Sequence, residues 1–123
     1  MTDAEAHWLR CRPWVEAALG YAGGTHVWTD VWAEIAAGEC QFWPGERSAM
    51  VTHILDFPRS RGLHFWLCGG DLSELLDMLP QIEAWGHAQG CTKFTTAGRP
   101  GWQRVLKAHG YQPVWNVCAK DTP

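Results

Sequence analysis

Residues 67–76 read LCGGDLSELL. An apolar run ends in two glycines, and a helical pattern starts directly after them. Such a junction suits a phosphate: glycine lets the backbone approach closely, and the free N–H groups and positive end of a helix hold negative charge. Leu67, Cys68, Gly69 and Gly70 are therefore the candidate cofactor-binding residues. The residues that follow point the other way. Asp71 falls at the helix N-cap with Glu74 three positions on, the spacing of a capping box, in which the two side chains satisfy the backbone donors a phosphate would use. Two carboxylates there also repel an anion, by ~4 kcal/mol per contact at 4 Å and an effective dielectric near 20, and by less in salt. No lysine or arginine lies between Arg61 and Lys93 to offset them.

Proton transfer needs a group that titrates near neutrality. His53 and His64, both in strand-like segments, are the candidate catalytic bases. His109 shares the apolar side of the last helical segment with Trp102, Val105 and Leu106 and reads as core or interface. The five cysteines are odd in number and scattered, which suggests neither a disulfide framework nor a zinc site. Cys68, Cys91 and Cys118 fall in predicted strands, where a free thiol acts as a small hydrophobe. No Walker loop, Gly-x-Ser-x-Gly, His-Glu-x-x-His or EF-hand pattern is present. Arg99, Arg104 and Lys107 form a small basic group that reads first as a solvated face and second as a contact for an anionic partner.

These groups must be positioned by a chain of 123 residues, enough for one domain with its own core. Hydrophobic residues make up 46% and charged residues 19%, a globular balance. A net charge of −3 argues against nucleic acid, and no apolar run is long enough to span a bilayer. The polar, acidic start of the chain does not look like a signal peptide, so the expected compartment is the cytoplasm. Nine tryptophans imply a core built with indoles, not all of them interior.

Helical spacing predicts short helices over 13–22 and 30–37, the first opened by Pro13 and the second capped by Thr29 or Asp30. Strand-like stretches follow at 40–43, 47–57 and 63–68. A long helix is expected over 72–89, kinked at Pro80. A strand at 91–98, a helix at 99–110 and a closing strand at 113–120 complete the order. Residues 1–12 read as an N-terminal extension of a single domain over 1–123. One mixed, mostly antiparallel sheet with helices on both faces satisfies this order. Its strands LHFWLC and CTKFTT should run parallel, joined by the long helix.

That α/β order resembles the GNAT family of N-acetyltransferases over about residues 13–119. The specific part is CTKFTTAGRPGWQRVLKAHGYQPV, where the last helix runs into a Gly-aromatic pair, here Gly110-Tyr111. GRPGWQRVLKAHGY also resembles small GNAT-like proteins of phages and prophages, some of them virion-associated. The resemblance implies an acetyl-CoA site at residues 67–75, built on an Arg/Gln-x-x-Gly-x-Gly/Ala loop, but this chain has adjacent glycines and no Arg or Gln before them. It also implies a tyrosine acid five residues before the closing aromatic, where this chain has Leu106. The expectation is a degenerate member of phage type. It would hold no cofactor and act as a binding or structural component, in the cytoplasm or the virion. Its partner would be a phage structural protein or a second copy, with neither membrane nor nucleic acid involved. The alternative is an acetyl-CoA-dependent N-acetyltransferase with an altered loop, using His64 or His53 as base.

Overall fold

The computed structural model describes residues 1–98, 100–115 and 117–123. The first helix, α1 (Asp3–Arg10), lies in the stretch read only as an extension. Thr2 Oγ1 accepts the Glu5 N–H at 3.1 Å and Glu5 Oε2 accepts the Thr2 N–H at 3.4 Å, a reciprocal capping box. Helix α2 (Arg12–Leu19) carries Pro13 in its first turn, and α3 (Trp28–Ala36) follows. Asp30 sits inside α3 rather than capping it, and its carboxylate accepts the Val27 N–H at 2.9 Å.

The sheet contains β1 (Gln41–Pro44), β2 (Ser48–Phe57), β3 (Ser60–Gly70) and β4 (Lys93–Thr96), in the spatial order β1-β2-β3-β4. The first three are antiparallel neighbours, and β4 joins β3 parallel, with Gly62 to Phe65 opposite Lys93 to Thr96. Helix α4 (Leu72–Ala88) makes the connection that a parallel pair requires and runs through Pro80 as one helix. The fold class is the expected one: α/β, a mixed and mostly antiparallel sheet, helices on both faces.

The register shifts between Val51 and Thr52, whose partners are Leu67 and Phe65, so Trp66 is the extra residue of a β-bulge. The bulge decides which side chains reach which face. Before it, Leu63 and Phe65 join the core under α4, with Met50, Leu75, Leu79, Ile82 and Leu106. After it, Leu67 joins the opposite core, with Trp8, Val15, Val31, Ala49 and Val51 under α1–α3. Trp8 is 2% exposed, stacks on Trp28 and Trp32 at 5.1 and 5.6 Å, and meets Phe42 edge-on at 5.1 Å. Every tryptophan but Trp115 lines one of these two cores.

The C-terminal part departs from expectation. Helix α5 (Pro100–Leu106) is shorter than predicted, tightens into a 3₁₀ turn over Lys107–His109, and stops at Gly110, whose φ is +88°. His109 is exposed, not core. Arg99, of the proposed basic group, lies outside the described residues. No strand forms over the described part of 113–120; Asn116 lies outside it. Pro113 lacks the N–H a ladder needs, and Tyr111 packs into the α4-side core against Phe65.

Candidate functional site: the junction of β3 and α4

Gly69 and Gly70 are the last residues of β3, not a free loop. They pair with Ala49 and Ser48 of β2. Each glycine is required by a neighbour. A side chain on Gly69 would run into the Trp14 carbonyl of α2, and one on Gly70 would meet the Arg47 carbonyl and Ser48. Gly70 also holds φ at +109°, where a Cβ is strained. Leu67 is buried in the α1–α3 core, and Cys68 packs against the α4 core. Burial pushes the Cys68 thiol up to about 12, so it is no nucleophile at neutral pH.

Only half of the expected capping box forms. Asp71 Oδ1 accepts the Glu74 N–H at 2.9 Å. The Asp71 N–H, which Glu74 was expected to satisfy, donates instead to the Arg47 carbonyl at 3.0 Å. Glu74 turns away from its own helix into the β1–β2 turn. There its Oε2 accepts the Glu46 N–H at 3.2 Å, and its Oε1 accepts the Arg47 N–H at 2.9 Å and the Ser48 hydroxyl. Gly45 leaves the space, since a Cβ at that residue would overlap the carboxylate. The Ser48 hydroxyl and these amides hold the Glu74 carboxyl below its usual range, and the Glu74 N–H does the same for Asp71.

Arg47 also corrects the charge balance read from sequence. Its guanidinium lies 3.5 Å from Asp71 and 3.9 Å from Glu74. Because it is 61% exposed, these pairs offset charge without adding much stability.

His53 and His64 are brought together, directly opposite on β2 and β3, with ring centroids 5.2 Å apart. Trp66, two residues from His64 on the same face of β3, stacks on His53 at 6.0 Å and meets His26 at 4.7 Å. His26 in turn lies 3.3 Å from Glu34 of α3. His64 Nδ1 shares a hydrogen bond with Thr95 Oγ1 of β4 at 2.8 Å. Burial, and then its neighbour His53, lower His64 to about 4, and burial lowers His53 in the same direction. Both rings are neutral at pH 7, and His64 is a weak base there.

Leu106 is 2% exposed, deep in the α4 core. The Tyr111 hydroxyl donates to Glu83 Oε2 at 3.2 Å, and burial followed by that carboxylate raises its pKa. The described residues include no group of three or more His, Cys, Asp or Glu placed to hold a metal ion. Among them, no helix is long and apolar enough to cross a membrane. All five cysteines are free.

No family model matches the chain, and no curated protein matches it by sequence. Solved structures do. A predicted acetyltransferase from Clostridium acetobutylicum, solved with acetyl-CoA, superposes with a TM-score of 0.69 at 11% identity, covering 98% of this chain and 92% of that one. An aminoglycoside antibiotic 6′-N-acetyltransferase from Acinetobacter haemolyticus gives 0.63 at 10% identity, over 100% and 95%. Glucosamine-6-phosphate N-acetyltransferase from Arabidopsis thaliana gives 0.62 at 12% identity, over 78% and 77%. The likeness is one of fold: the chain is a single GNAT-like domain.

Two outcomes follow from this geometry. Glu74→Ala strands the amides of Glu46 and Arg47, whereas Asp71→Ala loses one N-cap bond. Thermal melting should fall by about 8 °C for the first variant and by about half that for the second. The histidine pair sets a pH dependence. His64 has a folded pKa of about 4 against an ordinary 6.5, so on acidification the unfolded chain takes the proton first. Stability is therefore full above about pH 6.5 and falls as pH drops toward 4. In urea midpoints at about pH 7 and about pH 4.5, His64→Gln should lose less stability between the two than the natural chain does.

Proposed function

We propose that this chain is a GNAT-fold protein in which the family's acetyl-CoA cradle has become a packing joint, and that it works as a binding or structural component. The observation that carries this reading is the occupation of the joint by the chain itself. Glu74 fills the β1–β2 turn, the Trp14 carbonyl closes the approach to Gly69, and Gly69 and Gly70 are spent on pairing with β2. A pyrophosphate would need backbone donors and an open approach at a helix start. Here Asp71 takes one such donor and keeps its negative charge beside the rest. Buried Leu106 supplies no proton to a leaving thiolate. The finer form of the proposal, a phage component that contacts other particle proteins in the cytoplasm or the virion, rests on the resemblance of GRPGWQRVLKAHGY alone.

Calorimetric titration with acetyl-CoA, at low and at moderate salt, tests the proposal. No saturable heat is expected at either. A micromolar dissociation constant at both would contradict it and favour an acetyltransferase, with His64 and His53 as the first bases to replace.

A further inference from the structure

His53 and His64 stand directly opposite on β2 and β3, so both side chains leave the same face of the sheet. Their ring centroids are 5.2 Å apart, and the planes are tilted by 54° instead of stacked. That spacing suits two ligands on one ion. An imidazole nitrogen binds zinc at about 2.0–2.1 Å, which sets each ring centre about 3.2 Å from the metal, and a tetrahedral angle then holds two ring centres about 5.2 Å apart.

The nitrogens are available. His64 Nδ1 is engaged by Thr95 Oγ1 at 2.8 Å. With Nδ1–H as the donor in that bond, Nε2 carries the lone pair. Thr95 then fixes the tautomer and the ring orientation, as the outer partner of a metal-bound histidine does. Among the described residues His53 meets the rings of His64 and Trp66, and neither of its nitrogens has a hydrogen-bond partner. The buried side-chain polar atoms left unpartnered there are the indole N–H groups of Trp8 and Trp28. The open imidazole nitrogens are not among them and so reach solvent. Trp66 steadies the His53 ring by stacking on it. Glu34 of α3 stands near enough for its negative charge to act on His53, which favours a cation there.

We propose that His53 and His64 form a two-histidine chelate for a first-row transition-metal dication, with zinc the ion that fits the separation. The described residues add no third side chain, so the site is an open pair and not a closed cage. The remaining positions on the ion fall to water or an anionic ligand. Two imidazoles select zinc, copper or nickel over magnesium and calcium, which take oxygen. The proposal goes beyond the binding or structural reading and does not depend on whether acetyl-CoA binds.

Calorimetric titration of the full-length Cys118→Ser chain with zinc chloride, at about pH 7.5 in a non-coordinating buffer, tests this. The substitution removes the exposed thiol, a competing ligand. Binding should saturate at one ion per chain. In side-chain nitrogen spectra, His64 Nε2 and one nitrogen of His53 should shift, while His7, His26, His87 and His109 stay in place. His53→Gln and His64→Gln should each weaken binding at least ~tenfold. His26→Gln, across Trp66 from the pair, should leave it unchanged. Circular dichroism checks that each variant is folded, and the nitrogen shifts test the site with both ligands intact. No saturable heat, shifts that fall on other histidines, or binding that survives both substitutions would overturn the chelate. So would an equal response to magnesium chloride, since oxygen ligands would then be holding the ion.

Discussion

One carboxylate organises the region where this fold would be expected to meet a ligand. The Glu74 side chain is 14% exposed and ionised, and a charge so nearly buried must be surrounded by donors. Meeting that demand constrains a series of residues far apart in sequence. The β1–β2 turn must present the amides of Glu46 and Arg47 to one point, and Gly45 must lack a side chain. Ser48 must sit fully buried with its hydroxyl turned to the carboxylate. β3 must end against Ser48 with Gly70 at positive φ, so that α4 starts beside the turn. The Asp71 N–H then bonds to the Arg47 carbonyl and ties the same turn to the cap. The helix start is thus a joint between α4 and the first hairpin.

The bulge at Trp66 is the second organising feature. It sends Leu67 to the face opposite Leu63 and Phe65, so one strand feeds both cores. On that same face Trp66, by strand alternation from His64, lies beside His53 and His26 in a band of imidazole and indole rings over the α3 side of the sheet. Within it His53 and His64 are half-buried and held below the ordinary histidine range, so they behave as packed surface and become a liability only in acid.

Much of the fold was legible because it rests on local pattern. The period of the long helix and the strand–helix–strand order led directly to the parallel pairing of β3 and β4. Helix α1 was missed although Thr2 and Glu5 spell a capping box, because too few apolar residues follow to show a helical face and only Trp8 is buried. The site was less legible. Gly69 and Gly70 look like the end of a strand run into a turn, because local spacing cannot show a β2 partner or a carbonyl arriving from α2. The spacing of Glu74 points to its own cap, since the competing donors lie some 27 residues upstream. Arg47 escaped the charge balance for the same reason. The closing strand had the right residue types, but Pro113 at its start has no N–H to give a ladder, and its described residues form no strand.

The most direct test of the central claim follows the amide resonances of Glu46 and Arg47 by nuclear magnetic resonance as pH is lowered. If the Glu74 carboxylate sits in the β1–β2 turn, both amides shift together, with a common midpoint below the ordinary glutamate value of 4.5, and neither shift survives in Glu74→Gln. Amides that stay still, or that follow a carboxyl titrating at 4.5, would show that Glu74 is not held there and that the helix start is open.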